Sequence, residues 1–186
     1  LRLAVGKKIL NIISVYAPQV GRPMEEKEEL LAVLGKIVGE VSRDEELVIC
    51  GDLNCHVGAT ADGFEGVHGG KGFGSRNVEG EMLLEFATAM ELCVVNTCFE
   101  KEESKKVTHE SGGIRTVVDY VLVRRSDLGA VKDMKVIPGE ACLLQHKLLV
   151  CVLQVKTSVS RRKKVFVTRR RVWRLKETGN RQAFES

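Results

Sequence analysis

Asp52 and Asn54 stand two residues apart where the apolar run Leu47-Val48-Ile49-Cys50 ends at Gly51. In an extended segment residues i and i+2 share a face, so the acid and the amide are expected to point the same way at the carboxyl end of a strand. That end is where open α/β sheets carry ligands. The plain alternative is an Asx turn closing the strand. A second acid, Asp119, lies inside Thr116-Val117-Val118-Asp119-Tyr120-Val121-Leu122-Val123. A carboxylate between valines costs several kcal/mol unless it is paired or hydrogen-bonded, which is a general property of buried ions. His146, in Gln145-His146-Lys147 just before Leu148-Leu149-Val150-Cys151-Val152-Leu153, sits at another strand mouth. A lone histidine there is commonly a surface residue, but a carboxylate bound to an imidazole fixes its tautomer and favours its protonated form. Asp119 and His146 therefore answer each other. Tyr16, before Ala17-Pro18, ends a fourth strand because proline cannot continue a ladder, and its phenol is free to reach solvent or ligand.

The elements that must position these groups follow from the same text. Ile9–Val15 and Leu47–Cys50 read as buried strands. Between them Pro23 opens a helix from about Met24 to Val41, with Glu25 and Glu26 in its first turn and an apolar stripe of Leu30, Leu31, Leu34, Ile37, Val38 and Val41. Eight glycines between Gly51 and Gly74 predict a long mobile loop, with His56 and His68 solvated in it. These glycines match neither a phosphate-binding loop nor a dinucleotide fingerprint. Asn77 caps a helix to about Glu91. Leu92–Asn96, Thr116–Val123, Lys132–Ile137 and Leu148–Leu153 complete the strands, with a hairpin-like turn at Ser111-Gly112-Gly113. Alternating strands and helices followed by strands alone predict α/β layers with mixed or antiparallel sheets.

At 186 residues, 44% apolar and 29% charged, the chain is long enough for a real core. No apolar run approaches a membrane span, and the first residues lack a signal-peptide pattern. The six cysteines form no CxxC framework, and most sit in or beside apolar runs, so a reducing compartment is expected. Cys55 and His56 have no second Cys/His pair at zinc spacing. The net charge of +4 hides an asymmetry: residues 156–186 hold 11 bases and 2 acids, leaving 18 bases and 23 acids in residues 1–155. The expected organisation is a domain over 1–155 followed by a basic tail or linker over 156–186. Ten of the positive charges lie in 156–176, a density that suits a polyanion or nuclear import.

Tyr16-Ala17-Pro18, Gly51-Asp52-Leu53-Asn54, Asp119-Tyr120-Val121-Leu122 and the His146 strand resemble, in that order, the motifs of the endonuclease/exonuclease/phosphatase superfamily, the DNase I-like fold. Gly51–Gly58, Arg76-Asn77 with Glu79-Gly80, Val95-Asn96-Thr97 with Phe99, and Trp173-Arg174-Leu175-Lys176 resemble more closely the endonuclease domain of RTE-type non-LTR retrotransposons. The resemblance implies a four-layer α/β sandwich of two mixed β-sheets flanked by helices, lacking the first part of the fold. It implies Mg²⁺-dependent (or Mn²⁺-dependent) phosphodiester hydrolysis on DNA and an intracellular, nuclear location. By motif, Asp52 aligns or deprotonates the attacking water and binds metal. Asn54 and Tyr16 contact the scissile phosphate, with Asn77 a further substrate-binding residue. Asp119 holds His146, whose imidazolium stabilises the growing phosphoryl charge.

The chain departs from the family pattern at three points. Gln145 occupies the place of an Asp, His109 that of an aromatic residue, and the family's early Asn and metal-binding Glu have no counterpart before Leu1. A chain that opens on Leu1 and enters a strand at once reads as a fragment whose hydrolysis is impaired. The alternative expectation is an inactive, domesticated domain that binds nucleic acid or protein.

Overall fold

The computed structural model describes residues 1–141 and 145–155. The basic segment 156–186, expected as a tail or linker, lies outside the described residues, as does Trp173. Its central element is a five-stranded mixed sheet. β1 (Arg2–Val5) pairs antiparallel with β2 (Lys8–Tyr16), and β2 runs parallel to β3 (Glu46–Asp52). β9 (Asp119–Arg124) then pairs antiparallel with β3, and β6 (Leu92–Val94) with β9. The parallel β2–β3 step needs a crossover. That crossover is α1 (Met24–Glu40), which opens behind Pro23 with its two glutamates in the first turn. α1 ends where Val41 turns extended, and the buried Arg124 guanidinium collects the carbonyls of Val41, Ser42 and Glu45 at 2.7–2.8 Å.

The strands alternate between two cores. Ile13, Val15, Leu47, Ile49, Tyr120 and Leu122 face α1 and α2 (Val78–Ala89), packing against Leu34, Val38, Leu83, Leu84 and Ala87. Leu10, Val48, Val121 and Val123 face the other way. There they meet a second antiparallel sheet, β10 (Val131–Ala141) with β11 (Lys147–Leu153), through Val131, Met134, Leu149, Cys151 and Leu153. Completely buried aliphatic side chains such as Ile49, Leu84 and Leu92 each stabilise by about 1.5–3 kcal/mol. Three layers are thus described: helices, large sheet, small sheet. Among the described residues the small sheet is two-stranded and antiparallel, and no helix covers its outer face. Leu148 and Val152 on its outer face are accordingly exposed.

The two helices are locked by Lys27, buried in α1, whose Nζ lies 2.7 Å from Glu79 Oε1 at the start of α2. Asn77 caps α2 as expected, its Oδ1 accepting the Gly80 N–H at 2.9 Å, and accepts the His56 N–H at the same distance. Gly80 is required there, because a Cβ would stand 1.8 Å from the His56 carbonyl oxygen.

The glycine-rich stretch is not the mobile loop expected. β4 (Val57–Gly58) pairs with β5 (Phe73–Arg76), Val67 is buried, and Arg76 donates to the carbonyls of Val57, Thr60, Ala61 and Asp62. Its glycines serve tight turns in packed structure. His68, expected in solvent, is 2% exposed; its ring lies 3.1 Å from the Gly58 carbonyl and accepts the Gly70 N–H. His56 is only half-buried, its Nδ1 3.1 Å from the Val117 carbonyl.

The expected strand Thr116–Val123 is two. β8 (Ile114–Thr116) forms a hairpin with β7 (His109–Ser111), and β9 starts afresh at Asp119. Asp119 therefore sits at a strand's first position, on the rim, and not in its middle. Five cysteines are free among the described residues, and burial pushes the Cys55 thiol up to about 12, so it stays protonated near neutral pH.

Candidate active site

Gly51 makes the rim possible. Its φ is +144°, and a Cβ would meet the Val15 carbonyl oxygen at 1.9 Å, so only glycine lets β3 lie against β2 here. One residue later the sheet register places Asp52 beside Tyr16 of β2 and opposite Asp119 of β9. By strand alternation all three side chains lie on the side of the small sheet.

Asn54 arrives by the Asx turn, the alternative to a shared strand face. β3 stops at Asp52, and Asn54 is left-handed, with φ +44°. Its N–H donates to Asp52 Oδ1 at 2.9 Å, an Asx turn, and its Nδ2 donates to the Ala17 carbonyl at 2.8 Å. The turn, and not strand alternation, brings amide and acid together. One amide hydrogen of Asn54 is thereby spent and one is left.

Asp119 is held through its backbone. Asn96 Nδ2 donates to its carbonyl at 2.9 Å while Asn96 Oδ1 accepts the Val121 N–H at 2.9 Å. The fully buried Thr108 hydroxyl accepts the N–H groups of Val118 and Asp119 at 3.1 and 3.2 Å. Sequence reasoning missed both as supports: Asn96 stood out only as the polar end of the run Leu92–Val95 and within the family-like Val95-Asn96-Thr97, and Thr108 gave no signal. The Asp119 carboxylate then accepts from His146, whose Nδ1 lies 3.0 Å from Oδ2. The other ring nitrogen, Nε2, faces Asp52 Oδ2 at 4.0 Å. Asp52, Asp119 and His146 each offer a ligating atom within 4.8 Å of the others.

Burial raises the Asp52 carboxyl above its ordinary range; the Asp119 charge adds to this, while the Asn54 N–H, His146 and His109 oppose it. Two carboxylates sharing a half-buried rim favour a cation between them. The donors fit a hard divalent ion: carboxylate oxygens from Asp52 and Asp119 are the ligand type that Mg²⁺ sites use. No glutamate joins this cluster among the described residues.

The remaining expected residues fall as follows. Tyr16 is 66% exposed, its hydroxyl 3.4 Å from Gln19 Nε2, next to Asp52 in the sheet. Asn77 is a cap whose oxygen is used twice, leaving only its amide hydrogens for any substrate. Gln145 is exposed, its carboxamide engaged by Ser111 Oγ at 2.9 Å and His109 Nε2 at 3.4 Å.

The chain has a DNase I-like fold, and solved nuclease structures align with it. The endonuclease domain of TRAS1, a telomere-specific non-LTR retrotransposon, does so with a TM-score of 0.54 and 14% identity, over 83% of this chain and 62% of that one. The 3′ phosphatase NExo from Neisseria, bound to a product DNA hairpin, gives 0.55 and 16%, over 83% and 64%. In sequence the chain is 31% identical over 159 residues to craniofacial development protein 2 of Bos taurus, and 30% identical to that of Tragulus javanicus. The match covers 81% of this chain but only about a quarter of those proteins' length. No protein-family model matches the chain.

Proposed function

We propose that this domain hydrolyses phosphodiester bonds in DNA with the help of Mg²⁺, for which Mn²⁺ can substitute. The observation that carries the reading is the line from Asp119 through the His146 imidazole to Asp52, at 3.0 and 4.0 Å, on the exposed rim of the sheet. Asp52 orients the attacking water and takes its proton, a task its raised pKa suits. Asp119 keeps the His146 proton on Nδ1, so that Nε2 faces the reacting centre. Once protonated there, the ring places positive charge against the phosphoryl oxygens. Asn54 directs its remaining amide hydrogen to the phosphate, and Tyr16 its phenol. The ion would be held by Asp52 and Asp119, and it supplies charge neutralisation of the phosphate.

A second reading has specific support: the domain binds DNA without cutting it. Gln145 stands where an acid is expected, no glutamate joins the rim cluster among the described residues, and ten bases crowd residues 156–176. That basic run is also our ground for proposing a nuclear location.

Nicking of supercoiled plasmid separates the two readings. Hydrolysis predicts Mg²⁺-dependent relaxation by this chain that disappears in Asp52→Ala and His146→Ala. Cleavage that persists in either variant overturns the role assignment. Binding alone predicts no relaxation, with an affinity that survives both substitutions, falls steeply with salt and drops on removal of 156–176.

A further inference from the structure

We propose that His109 is a positioning residue for His146, and that β7 is the template that sets this imidazole. The proposal rests on the hydrolase reading for what the imidazole does, but not for how it is held.

β7 grips residues 145–147 one after another. The Ser111 hydroxyl accepts from Gln145 Nε2 at 2.9 Å, and the Glu110 N–H donates to the Gln145 carbonyl at 2.9 Å. The Glu110 carboxylate pairs with Lys147 Nζ at 2.7 Å, while the Lys147 N–H donates to the Thr108 carbonyl at 2.8 Å. Between these two clasps His109 and His146 are bridge partners, and their rings meet edge-on, centroids 4.8 Å apart at 68°.

The need for the second ring is geometric. Backbone clasps fix where the His146 Cα is, but leave its side-chain torsions free. The hydrogen bond from Nδ1 to Asp119 fixes one point of the ring and leaves it free to pivot about that contact. An edge-on aromatic contact removes the pivot, because the quadrupole favours that mutual angle. His109 can serve as a wall since its own ring is flanked on both sides: Nε2 is 3.4 Å from Gln145 Oε1, and Nδ1 is 3.4 Å from Thr116 Oγ1 on β8. Gln145 thereby gains a use that an acid ligand would not have: it braces the brace.

The test reads the His146 ring directly, by long-range ¹H–¹⁵N spectra of the 186-residue chain at about pH 8, where an ordinary imidazole is neutral. Native protein and His109→Phe, which keeps a flat ring, are expected to show the His146 proton on Nδ1 alone. His109→Ala is expected to show a mixture of tautomers. His109→Leu, which fills the space without a flat ring, gives the same result should the alanine variant not fold. Plasmid nicking should fall on the order of ten- to a hundredfold in the Ala or Leu variant and return in Phe. An Nδ1 pattern unchanged in the folded Ala or Leu variants, or absent from native protein, overturns the proposal. Tautomer mixing in a chain that never nicks DNA supports the positioning and overturns the hydrolase reading instead.

Discussion

His146 Nδ1 and Asp119 Oδ2 are 3.0 Å apart although 27 positions separate the residues. The contact joins the first residue of β9 in the large sheet to the mouth of β11 in the small one, so it spans the seam between layers. An imidazole held this way by a carboxylate has its free nitrogen aimed, which is the property general acid–base and electrostatic catalysis draws on.

His146→Ala is expected to reduce Mg²⁺-dependent nicking by about 10²–10⁴-fold, the usual worth of such a group. Asp119→Asn should cost a comparable amount, because an amide can present a donor to Nδ1 and reverse the tautomer. Single-turnover plasmid cleavage measures both. Circular dichroism should show the fold unchanged.

Asp52→Asn should abolish nicking and at the same time stabilise the domain. Burial raises the folded-state carboxyl above its unfolded value, so the folded state holds the proton more tightly. Stability then declines as pH rises from the unfolded pKa through the folded one, and the full penalty stands at neutral pH. Removing the charge lifts that penalty, for a gain on the order of 2 °C in Tm at pH 7 and none at low pH. A thermal melt at both pH values checks the sign.

Lys27→Met should destabilise by about 3 kcal/mol, since it strands the Glu79 carboxylate beneath α1. Lys27 holds the Glu79 carboxyl below its ordinary range. The pair's contribution is therefore present above the unfolded carboxyl pKa and lost as pH falls through the folded one. Lys27→Met with Glu79→Leu should recover most of the loss. Urea denaturation of the single and double variants measures it.

Asn96→Ala should cost about 2 kcal/mol, because it leaves the Asp119 carbonyl and the Val121 N–H without partners. It should also weaken nicking without touching substrate, since it loosens the backbone from which Asp119 reaches His146. Denaturant midpoints and cleavage rates on the same preparations test the two effects together.

Much of this architecture was legible before any coordinates. The apolar run ending at Gly51, the Pro23 helix and the Asn77 cap are local patterns, and each has its cause within a few residues. Asp119 and His146 were legible as a pair from a carboxylate read as mid-strand, although Asp119 meets the imidazole from the rim instead. What escaped the sequence depends on partners far along the chain. The glycine-rich stretch looked loose because its order comes from Arg76 binding four carbonyls and from His68 packed beneath it. Asn54 was legible two ways, as a strand residue or as the close of an Asx turn, because an Asp-x-Asn after glycine fits both, and the structure takes the turn. Thr108 and Asn96 support Asp119 from 11 and 23 positions away, which no periodicity records.

The cross-strand match of Asp52 with Asp119 has a consequence for how this sheet assembles. Sliding β9 one step along β3 would turn Asp119 into the core beneath the helices, among Leu34, Leu84 and Ile49, and drive Tyr120 and Leu122 into the core shared with the small sheet in its stead. An ion entombed there would cost several kcal/mol. The acids that give this rim its chemistry thus also proofread the alignment of the strands, and a misaligned chain is penalised before it could ever meet a substrate.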